Sequence, residues 1–343
     1  MSTSKISVIG GGSFGTVIAN ISAENGYKVS FWMRNKSQAE QLNRTRENSQ
    51  YLPDYLLNER IVATSDMAAA VKDSGLIFVA VPSSSFRQVV RDMVPYISED
   101  AVLVSTTKGV ESGSFDMMTQ ILNQEAPRAK VGVLSGPNLA LEIAKKDLTG
   151  TVIASPDEEV RKLVTSALKS KYFRVYANND MFGVELGGSL KNIYAIIAGM
   201  AAALGMGHNT NSMLVTRALT EMARFGKELG ADPMTFLGLA GVGDLIVTCS
   251  TPLSRNYRIG FALGKGTPLV EAIAELGQVA EGVNTIKLVQ EKAQELGVYM
   301  PLANGLYKIV YENDSLENII SSLMLSELPL DVEFAANEEK ILD

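Results

Sequence analysis

The rhythm of hydrophobic and polar positions changes once along the chain, near residue 180. Before that point, short β-branched runs recur: "KISVIG", "KVSFWM", "RIVATS", "GLIFVAV", "AVLVST", "KVGVLSG", "GTVIAS" and "YFRVY". Helical periodicities lie between most of them, around residues 14–24, 84–94, 115–125 and 157–169. Runs of this length and composition read as strands, and their alternation with helices implies right-handed crossovers onto a largely parallel sheet. The turn signal "ANND" at 177–180 closes the series. After it the β-runs vanish. "RALTEMARFGKELG", "TPLVEAIAELG" and "GVNTIKLVQEKAQELG" repeat apolar residues at three and four and stop at glycine. The pattern predicts an α/β domain over 1–180, an all-helical domain over 181–330 and a polar tail over 331–343.

Composition narrows the classes. A length of 343 residues suits two domains. Thirty-one basic against 38 acidic residues give a net charge of −7, which argues against nucleic acid or an anionic membrane as partner. A phosphorylated ligand then needs a local cluster of Lys and Arg. The single cysteine, Cys249, excludes an internal disulfide and fits a reducing compartment. The single histidine, His208, is too little for a zinc site of the usual His/Cys type, so no metal is expected. "MSTSKISVIGG" lacks a signal-peptide layout. The longest apolar run, Ile193 to Met206, is too short and too rich in Ala and Gly to span about 30 Å of hydrocarbon. A cytoplasmic protein without stable membrane insertion is expected.

"ISVIGGGSFGT" sets Gly10, Gly12 and Gly15 in the Gly-x-Gly-x-x-Gly spacing, after a predicted strand and at the opening of a predicted helix. The first glycine allows the tight turn, the second lets the backbone approach a pyrophosphate, and the third permits close helix–strand packing. Amides near Ser13 and Phe14, at the helix N-terminus, then meet the anion. A purely structural glycine turn is the alternative; the strand–turn–helix context favours a dinucleotide. The first domain is therefore read as a Rossmann-like, doubly wound, mostly parallel sheet. An NAD-selective site ends its second strand with Asp or Glu to hold the ribose 2′-hydroxyl. Here "KVSFWMRN" ends in Arg34, whose guanidinium suits a 2′-phosphate. An exposed surface arginine is the alternative. The expected cofactor is NADP(H), with NAD(H) also accepted.

Hydride-transfer chemistries can be tested by subtraction. Zinc alcohol dehydrogenases need Cys and His ligands that are absent. Tyr-x-x-x-Lys reductases are excluded because none of the 11 tyrosines has a lysine four residues on. A His–Asp relay would rest on His208, in the glycine-rich "GMGHN" turn. Lysine remains the candidate acid. Lys108, in "VLVSTTKGVE", follows the C-terminal end of a strand, the edge at which open α/β sheets bind ligands. Lys191 opens the apolar stretch "KNIYAIIAGMAAALGMG". Alone, each reads equally as a surface or snorkelling lysine.

Several separated motifs resolve the choice. "GGGSFGT", "VAVPS", "STTKG", "LSGPNLALEI", "ELGGSLKNIYAIIAG", "GLAGVGDLIVTC", "SRNYRIG" and "VAEGVNT" occur in order along nearly the whole chain. Together they resemble the NAD(P)-dependent glycerol-3-phosphate dehydrogenase family of the bacterial type. The resemblance implies that Lys191 is the proton donor and acceptor at the second carbon of a triose phosphate, with Lys108 beside it binding substrate and stabilising charge. It implies that Gly136, Asn138, Asp244, Ser254, Arg255 and Asn256 hold the substrate. Ser13, Phe14, Arg34, Lys108, Ala140, Arg255, Val279 and Glu281 would line the dinucleotide. A homodimer through the helical domain, and a place in glycerophospholipid metabolism, follow from the same likeness. No motif of the family lies beyond about residue 320.

These residues make chemical sense. Reduction of a ketone builds negative charge on its oxygen, which a nearby ammonium neutralises and protonates. Apolar surroundings and a second cation both make an amine a readier proton donor. Ser254 is placed as an N-cap, with Arg255 and Asn256 in the first helical turn, where they and the helix N-terminus suit a phosphate. An ordinary capped helix is the alternative. Asp244 follows "GVG" and is expected on a loop, to bond the substrate hydroxyl or to orient Lys191, with a plain loop residue as the alternative. Two competing functions keep the fold: a reductase of a β-hydroxyacid or ketopantoate-like substrate, and a non-catalytic NADP(H)-binding sensor.

Overall fold

The computed structural model describes residues 5–276 and 281–325. Val279 and the polar tail at 331–343 lie outside the described residues. The described residues form ten strands: β1 (Lys5–Ile9), β2 (Lys28–Trp32), β3 (Glu47–Asn48), β4 (Leu52–Leu56), β5 (Ile61–Thr64), β6 (Leu76–Val79), β7 (Val102–Ser105), β8 (Lys130–Ser135), β9 (Thr149–Ala154) and β10 (Phe173–Asn178). Eight of them form one sheet in the order β10-β9-β8-β7-β6-β1-β2-β5. Every neighbouring pair in it runs parallel except β8–β9, which is antiparallel. The small antiparallel β3–β4 pair stands apart; no alternating run in the sequence announces it.

The central strands are buried on both faces, as parallel sheets require. All four residues of β6 and of β7 are buried. On one face, Val17, Ile18 and Ile21 of the Ser13–Glu24 helix pack with Val160 and Val164 of the Glu158–Leu168 helix. On the other, Phe86, Val90 and Met93 pack with Met118, Ile121 and Leu122. The strand order reverses at β1, between β6 and β2. That switch point is where an open α/β sheet leaves a crevice at its strand ends.

The chain divides into two compact units. The first takes residues up to Ser189 together with Leu239–Asp244; the second takes the remaining described residues. The second unit is helical, with His208–Glu228, Arg255–Gly264, Leu269–Leu276, Glu281–Leu296, Pro301–Tyr311 and Leu316–Leu325 as its main elements. The division falls inside the Met181–Ala203 helix, so Lys191 sits in the middle of a 23-residue helix and does not open one. Among the described residues, no helix is long and apolar enough to cross a membrane.

Each unit buries one carboxyl against a helix N-terminus. In the first, Glu185 accepts from the Thr119 amide at 3.1 Å and from its hydroxyl, at the start of the Met118–Glu125 helix. In the second, Glu221 accepts from the amides of Leu302 at 2.6 Å and Ala303 at 3.2 Å, and from the Tyr194 hydroxyl at 3.2 Å. Burial raises both carboxyls to about 7.

Candidate active site

The glycine loop joins β1 to the Ser13–Glu24 helix. Gly10 has φ +123°, and a Cβ there would collide with the Ala80 carbonyl at the end of β6. Gly15 is closed in the same way by the Gly10 carbonyl. Gly12 differs: a Cβ added there meets nothing within 4 Å. Two of the glycines thus serve packing, and the third leaves open space above the helix N-terminus, the layout a pyrophosphate needs. Gly12 is also the N-cap of that helix and offers no side chain to satisfy the first amides. The loop is braced by Asn48, whose Nδ2 donates to Gly11 O at 2.9 Å and to Thr16 Oγ1 at 2.8 Å. Sequence reasoning missed Asn48, because an asparagine in a turn-like stretch carries no spacing signal.

Ser13 Oγ donates to Tyr51 O at 3.0 Å, and Phe14 is half-buried against the core. Arg34 is exposed just beyond β2. Next to it Asn35 caps the Lys36–Thr45 helix by accepting from the Gln38 amide. Asn35, Ser37, Gln38, Gln41 and Asn48 contribute to a polar cavity of about 150 Å³.

At the ends of β7 and β8 the first unit gathers four of the expected residues. Lys108 Nζ donates to Gly136 O at 3.0 Å and to Asp244 Oδ2 at 2.5 Å. Asp244 is fully buried and Lys108 is 21% exposed at its side chain. Charges this poorly hydrated are tolerated because each is paired and hydrogen-bonded. Asn138, beyond Gly136, donates through Nδ2 to Thr151 Oγ1 at 2.9 Å. Ala140 opens the short Ala140–Ala144 helix. Ser13 and Arg34 take no part in this cluster.

The motif "ELGG" explains why the cluster closes. A Cβ on Gly187 would come 2.8 Å from Ala240 O, and one on Gly188 would meet Ser135 Oγ at 2.5 Å and the Lys108 stem at 3.5 Å. The glycine pair lets the Met181–Ala203 helix lie directly on the segment that delivers Asp244 and on the stem of Lys108. Ser189 Oγ, fully buried, accepts from the Gly109 amide at 2.9 Å, fixing the peptide after Lys108. Asp244 itself is not on a loop. Residues Leu239–Gly243 wind as one π-helical turn and Asp244 opens the Asp244–Cys249 helix, since the glycines of "GVG" tolerate helical winding where they were read as a break.

In the second unit, Lys191 is 6% exposed and its Nζ donates to Thr248 Oγ1 at 2.6 Å. Thr248, to which the sequence assigned no chemistry, therefore holds the ammonium; its place one turn after Asp244 in the same helix is the signal that was available. Ser254 Oγ caps the Arg255–Gly264 helix by accepting from the Tyr257 amide at 3.2 Å. Arg255 is exposed at the first turn. Asn256 is buried, and its Oδ1 accepts from the Gly282 amide at 3.2 Å, next to Glu281 at the start of the Glu281–Leu296 helix. Among the described residues no group of His, Cys, Asp and Glu could hold a metal ion.

The first unit thus offers a paired lysine at strand ends and an open glycine loop, and the second a capped helix with arginine in its first turn. Comparison with known proteins agrees. The family model for the N-terminus of NAD-dependent glycerol-3-phosphate dehydrogenase matches residues 5–161, and that for its C-terminus matches residues 180–321. The glycerol-3-phosphate dehydrogenase [NAD(P)+] of Azotobacter vinelandii is 57% identical over 329 residues, covering 96% of each chain. That of Saccharophagus degradans is 52% identical, covering 96% of this chain and 92% of its own. The crystal structure of glycerol-3-phosphate dehydrogenase from Coxiella burnetii superposes with a TM-score of 0.90 at 35% identity, over 94% of this chain and 99% of that one. On sequence, on fold and on the order of its motifs, the chain belongs to the NAD(P)-dependent glycerol-3-phosphate dehydrogenase family.

Proposed function

We propose that this enzyme interconverts dihydroxyacetone phosphate and sn-glycerol 3-phosphate with NADP(H) or NAD(H), and that Lys191 carries the proton. The observation that carries the reading is the burial of the Lys191 ammonium on an apolar helix, anchored by the Thr248 hydroxyl. Such an amine is poorly hydrated and is held where it can serve an oxygen that gains charge.

The glycine loop suits the dinucleotide: open space at Gly12, helix amides at Ser13 and Phe14, and Arg34 for a 2′-phosphate. Ala140, Val279, Glu281 and Arg255 are assigned to the same ligand from the family's motifs. When bound, the nicotinamide supplies hydride to the C2 carbonyl carbon. Lys191 donates a proton to the carbonyl oxygen as its charge builds, and removes it in the reverse direction. Lys108 has three N–H donors, two of them spent on Gly136 O and Asp244 Oδ2, so the third is available to the substrate. Asp244 fixes the direction of that ammonium. For the phosphate, proton bookkeeping favours Asn256: its Oδ1 is occupied by the Gly282 amide, which leaves Nδ2 as donor beside Arg255 and the Ser254 cap. Gly136 and Asn138 complete the substrate set. The enzyme is placed in the cytoplasm as a homodimer that supplies glycerol phosphate for phospholipids, on the family's example.

The purified protein is expected to consume NADPH and NADH when given dihydroxyacetone phosphate, and to leave ketopantoate unreduced. Tight NADPH binding without turnover of dihydroxyacetone phosphate would establish the sensor reading instead.

A further inference from the structure

The amide of Asn138 has one orientation, and the hydrogen-bond network at Thr151 dictates it. Thr151 lies in β9 and is fully buried. Its hydroxyl has a single proton, and that proton goes to Ser135 O at 3.1 Å, because a carbonyl can only accept. Toward Asn138 the hydroxyl therefore presents a lone pair alone. The Asn138 Nδ2 must donate there, as it does at 2.9 Å. Its Oδ1 is consequently turned the other way. That oxygen is shielded from water and has no hydrogen-bond partner among the described residues. Buried acceptors are almost always satisfied, and an exception calls for a donor from outside the chain.

The donor's chemistry follows from the site's neighbours. Asn138 is two residues past Gly136, whose carbonyl already holds the Lys108 ammonium. An acceptor oxygen repels phosphate and cannot bond a ketone oxygen, so among the parts of a triose phosphate it suits the free hydroxyl. We infer that Thr151 is a positioning residue that aims Asn138 Oδ1 at the substrate's terminal hydroxyl, and that this pair sets specificity for a hydroxymethyl ketone over a methyl ketone. The inference rests on the substrate reading above.

The test compares kcat/KM for dihydroxyacetone phosphate with that for its deoxy analogue, hydroxyacetone phosphate, which ends in a methyl group. A site built to bond a hydroxyl rejects the analogue lacking it, here by roughly a hundredfold or more in the native enzyme. Thr151→Val removes the lone pair, frees the amide to turn, and should lower this ratio about tenfold. Thr151→Ser, which keeps the hydroxyl, should hold the native ratio. Asn138→Ala should lower it as Thr151→Val does, with no further loss in the double variant. If Thr151→Val and Asn138→Ala slow both substrates by one common factor, the ratio standing at its native value, the inference is overturned. Should Thr151→Val not fold, Asn138→Ala against Thr151→Ser decides by the same ratio. Failure of the native enzyme to turn over dihydroxyacetone phosphate at all would overturn the substrate reading first, and is distinguishable for that reason.

Discussion

Lys108 of the first unit and Lys191 of the second are held by different means, and the difference follows from the architecture around each. Lys108 lies at the edge of a parallel sheet, where strand ends release backbone groups; a carbonyl of the next strand and the Asp244 carboxylate take its ammonium. Lys191 lies inside a helix whose backbone is already satisfied, and a side chain from another helix, that of Thr248, meets it. The buried carboxyls are alike instead, each met by amides at a helix N-terminus. Glu185 caps a helix that belongs to the sheet-bearing unit, whereas Glu221 ties three helices of the second unit through Leu302, Ala303 and Tyr194. A sheet edge supplies polar partners from its backbone. A helical unit supplies backbone donors where a helix begins, as at Leu302 and Ala303, and a side chain along a helix, as at Thr248.

The sharpest way to break this comparison is to remove one amine. Lys191→Ala should lower kcat by about 10²- to 10⁴-fold, the usual contribution of a positioned acid, while the affinity for NADPH measured by fluorescence titration stays unchanged. An equal loss of cofactor affinity would show that Lys191 supports the fold and not the proton.

The next effect concerns stability. Glu185 and Glu221 each rise to about 7 in the folded protein from the ordinary glutamate value of 4.5. Below pH 4.5 both states carry the proton and neither group alters stability. As pH climbs, the unfolded chain releases these protons first, so stability declines up to about pH 7 and levels off above it. Each carboxyl then costs roughly 3 kcal/mol. Urea unfolding followed from pH 5 to pH 8 should show this decline, and Glu221→Gln should remove about half of it. The arginine-paired carboxyls Glu111 and Glu125 are lowered by Arg87 and Arg91, and so act below this window. A flat profile in the native enzyme would remove the contrast between the two buried carboxyls and their surroundings.

The smallest effect is expected at the exposed Arg34. Arg34→Ala should raise KM for NADPH about tenfold and leave KM for NADH nearly unchanged, the loss of one charge-assisted contact. An equal change for both cofactors would place the arginine away from the 2′-phosphate.

Much of this organisation was legible in the sequence. "GLIFVAV" and "AVLVST" could only be buried strands, and they became β6 and β7. The glycine spacing at 10, 12 and 15 stated its own geometry. Where the reading slipped, glycine was the cause. Gly187 and Gly188 masked the first ten residues of the helix that carries Lys191, and "GVG" was read as a loop before Asp244 although it winds as a π turn. Asn48, Thr151 and Ser189 were illegible for another reason. Each acts through hydrogen bonds to residues distant in sequence, and such bonds impose no periodicity. The short β3–β4 pair, only two residues long on one side, left no alternation to find.

The central claim is that Lys191 moves the proton. Chemical rescue tests it most directly: Lys191→Ala is assayed with dihydroxyacetone phosphate and NADPH in the presence of increasing methylamine. The account predicts a rate that rises with amine concentration from a nearly inactive baseline. A Lys191→Ala enzyme that turns over within a few-fold of the native rate before any amine is added would contradict it.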